Sequence, residues 1–185
     1  MLNSKDFEEI RKDLKRFEEE RETTIQKARK IIQLSKQVIY AVHRNDLKSA
    51  EQSLKDIKTE VKLLPEKPYD TDIQKTAIQE YVEAVCYYEF VKNNKIPTKK
   101  ELSVNTEGYL LGLCDLTGEL SRKAVAEVIK KNFKEVERIK QVVEEIYGEF
   151  LKFDLRNGEL RKKSDSIKWN LNRLEEIEYS LSMRK

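Results

Sequence analysis

Only five glycines and three prolines interrupt 185 residues, and the apolar side chains between them recur every three or four positions rather than every two. Few breakers and this period rule out a sheet, since alternation would place charge on both faces, whereas a 3.6-residue helix gathers the same apolar residues into one stripe. The chain is therefore expected to be all-α, a single bundle of six or seven helices spanning residues 1–185. The first helix is expected from about Ser4 to His43, with Phe7, Ile10, Leu14, Phe17, Ile25, Ala28, Ile32 and Val38 toward the core. Asn45 and Asp46 break it, and a second helix runs from about Leu47 to Leu63. Two prolines make Leu64 to Asp70 a loop, with Asp70 or Thr71 as cap for a third helix from about Asp72 to Lys92. Thr98 and Glu101 have capping-box spacing for a short helical turn. Further helices are expected over about Thr106–Lys131, Asn132–Phe153 and Leu155–Ser182.

Charged residues make up 38% of the chain, against about 25% in ordinary globular proteins, which suits long solvent-facing helices. The net charge is only +3, short of the basic footprint of a purely electrostatic nucleic-acid binder. Cys86 and Cys114 lie in apolar helical patterns without Cys-x-x-Cys spacing, so buried, inert thiols are expected. Nothing at the start pairs a basic region with an apolar one, and no run approaches the roughly 18 apolar residues of a membrane span. A soluble, cytoplasmic protein is the expectation.

Chemistry concentrates in two acidic pairs. Asp115 and Glu119 share a helix face within the apolar run Leu110 to Leu120, and a buried carboxylate needs a partner, either a divalent cation or Lys and Arg. Glu80 and Glu83, three apart on the third helix, flank a core stripe of Ile78, Tyr81, Val82 and Val85. Ala84 on one helix and Gly112 and Gly118 on the other suggest close approach, because glycine within a helix costs about 1 kcal/mol relative to alanine. If these faces meet, four carboxylates converge and cannot all stay ionised without a cation; hard oxygen ligands favour Mg²⁺ or Mn²⁺. The sequence has one histidine, His43, read as a helix-end residue, and no phosphate loop, nucleophile elbow or dinucleotide fingerprint. Metal-assisted hydrolysis is the chemistry carboxylates support without such motifs.

The segment Tyr109-Leu110-Leu111-Gly112-Leu113-Cys114-Asp115-Leu116-Thr117-Gly118-Glu119-Leu120-Ser121-Arg122 closely resembles the signature helix of the translin superfamily. Phe153 to Lys163, Asp165, and the closing run Leu174 to Lys185 are similar to its C-terminal helix, with weaker similarity at Arg21 to Ile25 and Ala41 to Arg44. The resemblance implies a nucleic-acid-binding homo-oligomer, a hollow octameric shell. Its catalytic branch, that of translin-associated factor X, carries a metal-dependent ribonuclease centre whose acidic positions match Glu80, Glu83 and Asp115, with Glu119 beside them. The chain mixes features of both branches, as archaeal members do, but Asp70 to Lys75 is nearly neutral where translin is strongly basic.

The expected function is cleavage of single-stranded RNA by a homo-oligomeric, metal-dependent endoribonuclease, with single-stranded DNA a second candidate ligand. Glu80, Glu83, Asp115 and Glu119 would serve metal and catalysis, and Arg21, Arg29, Lys30 and Arg44 would bind the strand. Tyr81, Tyr87 and Tyr88 could stack on a base, although packing better suits Tyr81. The alternatives are a non-catalytic nucleic-acid-binding shell, in which Lys or Arg neutralises the carboxylates, and a structural adaptor bundle.

Overall fold

The computed structural model describes residues 2–65, 67 and 69–183; Glu66 and Pro68 of the expected loop, and the terminal Arg184 and Lys185, lie outside the described residues. Among the described residues there are seven helices and no strand: α1 (Ser4–His43), α2 (Leu47–Lys62), α3 (Ile73–Asn93), α4 (Lys99–Leu102), α5 (Thr106–Ile129), α6 (Phe133–Phe150) and α7 (Glu159–Ser182). Local chemistry sets several starts. The side chains of Asn3, Asp46 and Asn105 accept backbone N–H bonds from Lys5, Ser49 and Gly108, and Thr98 and Glu101 form a full capping box. Asn45 and Lys131 adopt left-handed backbone just past α1 and α5. Each is followed by an N–H bond back to a terminal carbonyl, Asp46 to Ala41 and Asn132 to Glu127, the geometry that reverses a chain between packed helices.

Helices α3 and α5 pack together at the centre, α1 and α2 cover α3, and α6 and α7 cover α5. Cys86 and Cys114 are fully buried, and burial pushes both thiols up to about 12, leaving them unreactive.

Three expectations need correction. Phe7, Ile10 and Leu14 are 39%, 43% and 64% exposed, because the buried positions of the 40-residue α1 begin only at Thr24. Beyond that point its partners, of 16 and 21 residues, have no counterpart. The last helix starts at Glu159 rather than Leu155. Neither Asp70 nor Thr71 caps α3: the cap position falls to Asp72, whose side chain makes no cap bond, while Asp70 holds Arg21 and the Thr71 hydroxyl accepts from the Ile73 N–H at 3.4 Å.

The glycines of α5 differ in what surrounds them. A β-carbon at Gly112 would stand 2.6 Å from the Val82 side chain and 2.9 Å from the Gln79 carbonyl oxygen, and one at Gly108 would stand 2.6 Å from Ile78. These glycines set the close approach of α5 to α3. Gly118 does not, since its nearest neighbour there, Asn170 of α7, is 3.8 Å away. Gly112→Ala is accordingly expected to destabilise the fold by about 1–3 kcal/mol through overpacking, and Gly118→Ala to be neutral or stabilising by up to about 1 kcal/mol. Urea unfolding of the two variants checks this, and equal midpoints would refute it.

Candidate carboxylate centre

The Gly112–Val82 contact sets the acidic faces of α3 and α5 against each other. Glu83 is 8% exposed, deeper than the flanking position expected for it, and has no hydrogen-bond or ion-pair partner among the described residues. Its carboxyl is pushed up to about 9, first by burial and then by Asp115, Glu80 and Glu119. Glu80 is partly exposed and raised as well, by burial, with Lys36 opposing the shift and Asp115 adding to it. Glu80 and Glu83 thus each feel the charge of Asp115 and Glu119.

Helices on either side supply the neutralising groups. Lys163 of α7 places its Nζ 2.9 and 2.8 Å from the two Asp115 oxygens, and the Gln79 amide donates to the same carboxylate. Glu119 is bonded by His43 Nε2 at the end of α1 and lies 3.7 Å from Arg122. The other ring nitrogen of His43, Nδ1, is 3.0 Å from the Tyr87 hydroxyl. A neutral ring with its proton on Nε2 satisfies both contacts, donating to Glu119 and accepting from Tyr87. His43 ends its helix as read, but its side chain belongs to the centre. With the side chains so arranged, no three His, Cys, Asp or Glu groups among the described residues are gathered closely enough to hold a metal ion.

None of the four basic residues assigned to RNA is bonded to the four acids. Arg21 is bound to Asp70 at 2.5 Å and Glu18 at 3.3 Å, Lys30 to Glu60 at 2.5 Å, Arg44 lies over the Tyr40 ring, and Arg29 is exposed. The cations facing the carboxylates are instead Lys163, Arg122 and Lys36. Tyr81, Tyr87 and Tyr88 are 4%, 0% and 3% exposed, which leaves no ring face for a base. A cavity of about 1020 Å³ lies beside a different face of α3, lined by Lys58, Lys62, Gln74, Tyr81, Lys95 and Val104 among others, and includes none of the four acids. The sequence pattern does not single out Lys163, Gln79 or His43 for the centre. The only signal in the sequence was the general need of a buried acid for a partner, which does not say which lysine or amide supplies it.

No helix among the described residues is long and apolar enough to cross a membrane. Fold and site define an all-α bundle protein whose central helix pair carries a half-neutralised carboxylate centre. The chain belongs to the translin family, whose model matches residues 8–185. It is 33% identical over 152 residues to an uncharacterised protein of Methanocaldococcus jannaschii, covering 78% of this chain and 68% of that one. It is 24% identical over 226 residues to translin-associated protein X of Pongo abelii, covering 96% and 78%. With translin of Homo sapiens it shares 33% identity over 86 residues, 46% of this chain and 38% of translin. Among solved structures, apo-NeC3PO superposes with a TM-score of 0.87 at 33% identity, covering 95% of this chain and 96% of that one. AfC3PO in complex with duplex RNA gives 0.85 at 30%, covering 97% and 98%.

Between the ordinary value of 4.5 and about 9, folded Glu83 holds a proton that the unfolded chain releases, so stability falls as pH rises through that window. Glu83→Gln in excess chelator is expected to melt about 3–6 °C above wild type at pH 8 and to coincide with it near pH 4. A difference that does not depend on pH, measured by thermal circular dichroism, would contradict the assignment.

Proposed function

We propose that this protein is a homo-oligomeric, RNA-binding endoribonuclease that requires a divalent metal. The observation that carries the reading is Glu83, 8% exposed and without a bonded partner among the described residues, whose carboxyl feels three further acids that Lys163 and Arg122 neutralise only in part. The surplus of hard oxygen donors fits Mg²⁺ or Mn²⁺. Once their side chains turned toward one another, Glu80, Glu83, Asp115 and Glu119 would hold the ion, which when bound would supply a polarised phosphoryl oxygen and a water of lowered pKa. Glu119, held by His43 and Arg122, would support the metal or orient that water. Attack by water rather than by a ribose hydroxyl leaves 5′-phosphate and 3′-hydroxyl ends. Support for RNA as ligand comes from the likeness to AfC3PO, solved with duplex RNA, and from family membership. An octameric shell and a preference for single strands belong to the same proposal.

The second reading is a nucleic-acid-binding oligomer without catalysis, favoured by the bidentate Lys163–Asp115 pair. Cleavage of 5′-labelled single-stranded RNA in Mg²⁺, with a duplex of the same sequence alongside, separates the two. Asp115→Asn and Glu83→Gln, each shown by circular dichroism to be folded, are expected to lose at least about 10²-fold in rate. Excess chelator should abolish wild-type cutting. Equal rates in wild type and variants, or cutting in chelator, would overturn the nuclease assignment in favour of the binding shell.

A further inference from the structure

Lys163 is the one ammonium that contacts the carboxylate centre among the described residues, and it grips both oxygens of Asp115 at once, at 2.9 and 2.8 Å. Its charge also reaches Glu80 and Glu83 without touching either. The pair is only partly enclosed, with side-chain exposures of 30% for Lys163 and 25% for Asp115. The lysine therefore has a path to solvent along its flexible four-carbon stem. Its position in the opening turns of α7 places it beside two exposed cations, Arg161 and Lys162.

We propose that Lys163 is a built-in counter-ion that leaves Asp115 when a divalent cation enters the carboxylate centre, and that its released ammonium then binds a phosphate of the RNA strand. The inference rests on the metal reading above. Lys163 and the Gln79 amide together fill most of the acceptor positions of the Asp115 carboxylate, and an ion ligated there would sit against the Lys163 ammonium unless Lys163 withdrew. Two cations crowded on one partly buried carboxylate also repel each other strongly. Glu83, 8% exposed and without a bonded partner among the described residues, is a further ligand that the exchange brings into use, since Lys163 contacts Asp115 alone. Once displaced, Lys163 is a mobile positive charge at the edge of the centre, and a phosphodiester is the anion that replaces Asp115. RNA and metal thereby assist each other's binding, since each favours the outward lysine, and the coupling is reciprocal. Lys163 acts in this scheme as a positioning residue.

Isothermal titration of the full chain with Mn²⁺ tests the exchange. Removing the competitor in Lys163→Met is expected to tighten Mn²⁺ binding at least about fivefold. Lys163→Arg, whose planar fork suits a carboxylate better, is expected to weaken it. Opposite shifts from one position are not the signature of a loosened helix. The phosphate contact predicts that Lys163→Met raises KM for single-stranded RNA several-fold and leaves kcat within about twofold. Mn²⁺ affinity in Lys163→Met equal to or below wild type, or an unchanged KM, would overturn the proposal while leaving the metal site standing. Failure of all three proteins to take up Mn²⁺ would remove the metal reading and this inference together.

Discussion

Val82 of α3 lies against the bare α-carbon of Gly112, near enough that a methyl group there would collide with it, and Gly108 repeats the contact against Ile78 one turn away. Glu80 and Glu83 stand beside Val82 in sequence, as Asp115 and Glu119 follow Gly112, so the same approach that builds the core brings Glu80 and Glu83 into the field of Asp115 and Glu119. A larger residue at 112 would relieve the crowding only by separating the helices. Packing and charge are two consequences of one contact.

The electrostatics are left unresolved by the protein alone. Lys163 answers Asp115, His43 and Arg122 answer Glu119, and Glu83 is kept neutral by burial and by its acidic neighbours. Burying an ionisable group without a partner works against stability, and a fold selected for stability alone would place glutamine or leucine at this position. Retained destabilising groups concentrate where function demands them. The neutralising side chains come from α1, α5 and α7, helices that reach the centre from both sides of the bundle, so its charge state depends on how the outer helices sit.

The exposed end of α1 follows from length. Phe7, Ile10 and Leu14 continue the spacing of Thr24, Ala28, Ile31, Ser35, Val38 and Val42, which are buried. The stripe is one seam, and it loses its cover where α2 and α3 end. Periodicity reports that a helix has an apolar face and is blind to whether another element extends far enough to cover it.

Helical class, the bounds of α1 and the capping box at Thr98 were legible because they depend on neighbours within a turn or two. Propensity, capping geometry and the 3.6 period are local properties. The acidic pairs were legible too, as carboxylates placed among apolar residues that would need partners. Which partners they found was decided only by tertiary structure. Lys163 is separated from Asp115 by 48 positions and His43 from Glu119 by 76, and nothing in the local pattern distinguishes Lys163 from the lysine before it. The depth of Glu83, the burial of three tyrosines and the pairing of Arg21 and Lys30 with other acids were set in the same way. A side chain's burial and charge partner are properties of the helices packed against it, which a pattern along one helix does not contain.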